Sequence, residues 1–175
     1  MTNSPHAPTT DETSRQLLVT WSDPREIAAG AAGKSGLDVM RALASGHIDA
    51  PPVIRLVGAQ FVAADEGSAV FTLTPHESHY NPIGSVHGGI IATLLDSAAA
   101  CAVHTTLDEK TAYTSLDLSL KYLRAVTIDT GVVTCTGSVT HRGRRTALAT
   151  AELRDDAGRL LATATSSCLI FEHRA

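Results

Sequence analysis

Gly88-Gly89-Ile90-Ile91-Ala92-Thr93-Leu94-Leu95-Asp96-Ser97-Ala98-Ala99-Ala100-Cys101-Ala102-Val103-His104 is the stretch on which the fold turns. Wound as a helix it is apolar almost all round, because its isoleucines, leucines and alanines leave no polar stripe. Such a helix has to be enclosed by other elements. Asp96 is the one ionisable side chain between its ends.

Both flanks read as strands. Before the helix, Val57–Ala64 is one candidate, and Ala69, Phe71 and Leu73 alternate with Val70, Thr72 and Thr74 until Pro75 stops the ladder. After it, Thr114–Leu123 sets Leu116, Leu118 and Leu120 against Ser115, Asp117 and Ser119. Val132–Thr140, Thr146–Arg154 and Leu160–Phe171 follow, the last two joined by a turn at Asp155-Asp156-Ala157-Gly158. Successive hairpins predict an antiparallel sheet, so the expected class is α+β, with five to six strands curled around one long central helix. Further out, Leu37, Met40 and Leu43 lie at helical spacing ahead of Gly46 and predict a single short N-terminal helix, which Pro51-Pro52 separates from the rest. Residues 1–16, rich in Thr, Ser, Pro and Asp, bury too little apolar surface to fold and are expected to form a disordered tail. The expected organisation is therefore a tail at 1–16, an N-terminal helical extension at 17–50 and the main domain at 51–175.

A chain of 175 residues holds one domain, or one domain with a tail, and 43% hydrophobic against 18% charged residues is a globular composition. A net charge of −4 carries no basic surplus, so neither nucleic acid nor an anionic membrane is an expected partner. Cys101, Cys135 and Cys168 form no C-x-x-C pair, which predicts reduced, buried thiols rather than a zinc ribbon or a disulfide framework. The polar start MTNSPHAPTTDETSRQ lacks a basic-then-apolar pattern, and no apolar run reaches the roughly 18 residues of a membrane helix. A cytoplasmic protein is expected.

An ionised carboxylate in an enclosed helix costs several kcal/mol unless something compensates it. Around Asp96 the positions one turn away are Ala92, Thr93, Ala99 and Ala100, small side chains that leave room for a partner group, a water or a substrate. A carboxylate satisfied by backbone or Ser/Thr groups is the plainer alternative. Just upstream runs Asn81-Pro82-Ile83-Gly84-Ser85-Val86-His87-Gly88-Gly89. Glycines at a helix start let another group approach the free N–H groups closely. Those groups, with the positive end of the helix dipole, suit a carbonyl oxygen that turns anionic during a reaction. A turn that needs glycine only for chain geometry is the alternative. Gly88 and Asp96 lie about 12 Å apart along one helix, so both cannot touch one carbonyl. If they cooperate they belong to different chains, with two such helices antiparallel across a two-fold axis, and a homodimer with two composite sites is predicted.

Asn81-Pro82-x-Gly84-x-Val86-His87-Gly88-Gly89, then Asp96 in the helix, then Ser115-Leu116-Asp117 in the next strand, together resemble the hot-dog-fold acyl-CoA thioesterases of the PaaI-like type, over about residues 50–172. The resemblance implies a hot-dog fold, a long helix wrapped by an antiparallel sheet, in subunits joined edge to edge as homodimers and often homotetramers. It implies hydrolysis of an acyl-CoA thioester to free acid and CoA without a metal or other cofactor, CoA being part of the substrate. Position by position, it makes Asp96 the general base or nucleophile and the Gly88 N–H the donor that polarises the carbonyl. It places Asn81 beside that end to help position the water or nucleophile, and His87 there to hold the loop or assist the leaving thiolate. Ser115 matches the hydroxyl that holds the water near Asp96, with Thr114, on the Leu116/Leu118 face, as its substitute. Gly89 and Thr114 would adjoin the substrate. The phosphates of CoA need cations, and the richest basic run is His141-Arg142-Gly143-Arg144-Arg145, where Arg144 and Arg145 are candidate phosphate contacts; a solvated turn is the alternative.

A thioester is already activated, so a positioned base and one or two oxyanion donors are sufficient machinery. No Gly-x-Ser-x-Gly elbow is present, and Ser97 reads as a packing residue. His76, His79, His87 and His104 match no zinc pattern, so no metal is expected, and His79 and Tyr80 are expected at the cleft mouth or on the surface. Two other readings use the same cleft: a hot-dog enoyl-CoA hydratase, whose Asp-x-Asn-x-x-His pattern is missing, and a non-catalytic acyl-CoA-binding sensor, for which residues 1–50 supply no basic DNA-binding domain.

Overall fold

The computed structural model describes residues 14–172, so the tail expected at 1–16 lies almost wholly outside the described residues. Helix α1 (Pro24–Ala31) opens where the Asp23 carboxylate accepts the Arg25 N–H, and α2 (Gly36–Ala44) where Ser35 Oγ accepts the Asp38 N–H. Helix α3 (Pro52–Val57) has its proline in the first turn and stops at Gly58, which takes a left-handed φ of +72°. Where a single N-terminal helix was predicted there are three. Pro51-Pro52 starts a helix instead of separating two pieces, and Val57, read as strand, ends it.

Six strands follow: β1 (Ala59–Asp65), β2 (Ser68–Leu73), β3 (Thr111–Tyr122), β4 (Val133–Arg142), β5 (Thr146–Asp155) and β6 (Leu160–Glu172), with the long helix α4 (Gly88–His104) between β2 and β3. They form one antiparallel sheet in the order β1-β2-β4-β5-β6-β3. The predicted hairpins β4–β5 and β5–β6 are present, the latter closed by Arg159, whose backbone N–H and guanidinium both donate to the Asp155 carboxylate. The strand after the helix is no hairpin partner of its successor: β3 crosses to the far edge and pairs with β6 alone.

Leu94, Leu95, Ala98 and Ala99 of α4 are buried against the inward residues of β4, β5 and β6, among them Cys135, Ala149, Leu153 and Ala164. The contact is close because both surfaces are small. A Cβ at Gly137 in β4 would fall 2.0 Å from the Ala98 carbonyl oxygen, so this crossing admits only glycine. This is the hot-dog arrangement, helix inside and sheet around it. The enclosure has one gap, since Ala92, Thr93, Asp96 and Ser97 are only half-buried beside β3, most of which is exposed. Among the described residues no helix is long and apolar enough to cross a membrane.

Candidate active site

Asp96 stands on the open side of α4, where Ser115 Oγ donates to its Oδ1 at 3.0 Å. A bulge in β3 makes that contact possible. Ser115 faces Cys168 and Asp117 faces Ser167, which leaves Leu116 unpaired between them. The bulge is pinned from both sides: Ser166 Oγ donates to the Asp117 carbonyl at 2.8 Å, and Ser167 donates to the Asp117 carboxylate from its N–H and its hydroxyl. Before the bulge Tyr113 and Ser115 face α4; after it Leu118 and Leu120 do. The expected alternation of Leu116 with Leu118 is thereby broken. Leu116 is 57% exposed, and Ser115 rather than Thr114 is the hydroxyl brought to Asp96, while Thr114 stays within the same pocket lining. Asp96 Oδ2 takes part in no hydrogen bond among the described residues, so one carboxylate oxygen is fixed and the other faces the cleft it shares with Ala92, Thr93 and Asp117.

At the other end of the helix segment, His87 is the N-cap, and its Nδ1 accepts the Gly89 N–H at 2.8 Å. Gly89 is therefore occupied, and of the two N–H groups singled out in the sequence only that of Gly88 is without a hydrogen bond among the described residues. The Gly88 carbonyl accepts the Tyr122 hydroxyl at 2.9 Å, and a Cβ at position 88 would meet that hydroxyl at 2.8 Å. A side chain at 88 would displace the Tyr122 hydroxyl. Asn81 spends its carboxamide on its own loop: Oδ1 accepts the N–H groups of Ile83 at 3.1 Å and Ser85 at 3.3 Å, and Nδ2 donates to Ser85 Oγ at 3.2 Å. Asn81, Gly88 and Tyr122 line one cleft, Asp96 and Ser115 another. Within a single chain the two ends of the expected site do not meet.

Asp96 and Ser115 also border a cavity of about 490 Å³ on the side of α1–α3, with Tyr113, Cys101 and His104 along its wall. The rings of His104 and Tyr113 lie 5.2 Å apart, burial lowers the His104 imidazole pKa, and burial pushes the Cys101 thiol up to about 12. Arg144 and Arg145 are exposed in the β4–β5 turn. Thr146 faces Leu169 and Leu169 faces Thr114, so this turn lies two strand spacings, about 10 Å, from Thr114.

His79 corrects its expected place. It is 8% exposed, its Nδ1 accepts the His76 N–H, and burial first, then the neighbouring His76, lowers its pKa. Tyr80 is half-buried with its hydroxyl accepting the Ile128 N–H. No three His, Cys, Asp or Glu side chains converge on a metal position among the described residues. Sequence reasoning missed Tyr122 as a site residue, although it continues the Leu118, Leu120 alternation. It also missed the N-terminal helices as a wall of the Asp96 cavity, for which no local signal exists.

Residues 83–162 match the thioesterase superfamily. A 1,4-dihydroxy-2-naphthoyl-CoA hydrolase of Listeria monocytogenes is 26% identical over 105 residues, which span 60% of this chain and 84% of that protein. The crystal structure of a phenylacetic acid degradation-related protein from Ralstonia eutropha JMP134 is 30% identical with a TM-score of 0.67, over 74% of this chain and 98% of that one. The Escherichia coli PaaI protein shares the fold at a TM-score of 0.67 and 23% identity, over 75% of this chain and 93% of that one. A chain that covers nearly all of a 30% identical relative and carries the family's pattern through its central helix belongs to the thioesterase superfamily.

Proposed function

We propose that this thioester hydrolase acts on a small or medium acyl-CoA, releasing free acid and CoA. The observation that carries the reading is the Asp96 carboxylate, with Oδ1 held by Ser115 and Oδ2 free at the cleft. The Gly88 N–H of a second subunit would receive the thioester carbonyl oxygen, at the positive end of α4. Asp96 takes a proton from water, the hydroxide adds to the carbonyl carbon, and the tetrahedral intermediate collapses with cleavage of the C–S bond. The proton held by Asp96 goes to the departing thiolate. If Asp96 instead attacks directly, the same bond breaks and water then hydrolyses the mixed anhydride. Tyr122 and His87 are positioning residues for the Gly88 peptide, one on its carbonyl and one on the next N–H. Asn81 holds the loop that leads into it, and Arg144 and Arg145 are the candidate contacts for the phosphates of CoA.

The composite site requires a homodimer. β3 is an edge strand whose free side adjoins Leu116, Tyr122 and Leu123, each more than half exposed, and such an apolar edge calls for cover. A second copy of β3 is self-complementary across a two-fold axis, and it would bring one chain's Gly88 towards the other's Asp96. The free thiols suit a reducing compartment such as the cytoplasm.

The test is release of CoA thiol from phenylacetyl-, benzoyl-, short and long aliphatic acyl-CoAs by wild type, Asp96→Ala and Asp96→Asn. Hydrolysis by wild type, lost by at least about 100-fold in both variants with dimers intact, is the expected result. Tight binding without turnover would replace the hydrolase with a sensor.

A further inference from the structure

The cavity bordered by Asp96 and Ser115 is walled by parts of the chain that no role above has absorbed. Of α4 it touches Asp96, Ser97, Ala100, Cys101 and His104, successive turns of one face, so it runs along the helix away from the carboxylate. Its opposite wall comes from Ile27 in α1, Met40 and Leu43 in α2, and Ile54 in α3, with Phe61 and Phe71 of the adjoining strands behind them. Helix α2 begins beside the His104 end of this space. The Gly36 N–H donates to the Leu107 carbonyl at 2.9 Å, and a Cβ on Gly36 would fall 1.8 Å from the His104 carbonyl oxygen, so α2 is seated directly on the end of α4. About a quarter of this chain lies outside the part that matches the Ralstonia structure, and the segments outside the sheet and its helix are chiefly those before β1.

We propose that α1–α3 form the roof of an acyl chamber in which α2 sets the length of acyl group this enzyme accepts. The inference rests on the reading of Asp96 as the group that acts on the thioester. With the carbonyl at Asp96, the acyl group enters a space walled mainly by aliphatic and aromatic side chains, in which the Cys101 thiol and Tyr113 phenol pair with each other, and this favours a neutral, apolar chain. From Asp96 to His104 the helix rises about 12 Å. An extended hydrocarbon advances about 1.25 Å per carbon, from a bond of about 1.52 Å at a tetrahedral angle, so the chamber holds about nine or ten carbons. The substrate class is therefore medium-chain acyl-CoA. Each methylene drawn in should raise kcat/KM about fourfold until the chamber is full. Leu43, half-buried on α2, lines that space.

Two ladders test this in the full-length protein, wild type beside Leu43→Trp and Leu43→Ala, with the melting temperature of each variant checked. The first is kcat/KM for saturated acyl-CoAs of four to fourteen carbons. The second is calorimetric affinity for the matching S-alkyl-CoA thioethers, which cannot be hydrolysed. Wild type should climb in both ladders to about ten carbons and then level off. Leu43→Trp should stop the climb near six, and Leu43→Ala should extend it. Profiles independent of chain length, or identical in the three proteins, overturn the chamber even if turnover is brisk. A thioether ladder that climbs and shortens in Leu43→Trp while no acyl-CoA is hydrolysed supports the chamber and refutes the hydrolase reading instead.

Discussion

Replacing Ser115 by alanine removes one hydroxyl and, with it, the hydrogen bond by which Oδ1 of Asp96 is held. The hydrogen bond at 3.0 Å goes to a carboxylate, and such bonds contribute about 1.5–3 kcal/mol. Ser115 is exposed at the edge of a single chain, so the lower figure applies, and about 1.5 kcal/mol in the transition state is roughly tenfold in kcat. Loss of Asp96 itself should cost about 100- to 10,000-fold, the range for a positioned general base. The assay is CoA thiol release at saturating acyl-CoA near pH 8, arranged as a double-mutant cycle. The protein's own thiols react slowly in it, since burial pushes Cys101 and Cys135 up to about 12 and raises Cys168 as well. If Ser115 acts by holding Asp96, then Ser115→Ala lowers kcat about tenfold in wild type, less than twofold in Asp96→Ala, and Ser115→Thr restores most of the loss. A tenfold loss that persists without Asp96 would refute the positioning role and put the hydroxyl on the substrate. No loss in wild type would refute any role for the contact.

Gly137→Ala drives a Cβ to 2.0 Å from the Ala98 carbonyl, and overpacking of about 3 kcal/mol should lower the melting temperature by about 6–12 °C, read by calorimetry. Burial lowers the His104 imidazole pKa from an ordinary 6.5, so the unfolded chain binds the extra proton first. Stability is then full above about pH 6.5 and falls as the pH drops below it; urea unfolding between pH 7.5 and 5 should show that decline, and His104→Gln should lessen it, the remainder coming from His79, which burial also lowers. Arg144→Ala with Arg145→Ala should raise KM for acyl-CoA about tenfold with kcat within twofold, and lose that effect on a pantetheine thioester that lacks the nucleotide phosphates. Leu116→Lys on the free edge of β3 should shift the protein towards monomer in sedimentation and lower activity in proportion, leaving its secondary structure unchanged.

How much was legible in the sequence depends on the range of the interaction that decides each feature. The 17-residue helix, its enclosure by strands and the β4–β5–β6 hairpins follow from local periodicity and turn residues, which are short-range signals. The position of β3 at the far edge does not, because strand order is settled by pairing between segments distant in the chain. Asp96 was legible as the lone charge in an apolar helix, but its partner was not fixed by alternation: the Leu116 bulge shifts the phase of β3 by one residue, and that shift chooses Ser115 over Thr114. The same distinction governs the proposed oxyanion end. Gly88-Gly89 announces that something must come close to the start of α4, yet two N–H groups stand there and the dipeptide does not say which one is available. A side chain decides it. His87 takes the Gly89 N–H for its cap, Tyr122 of β3 donates to the Gly88 carbonyl, and the Gly88 N–H is left without a hydrogen bond among the described residues, with no Cβ there to push the tyrosine away.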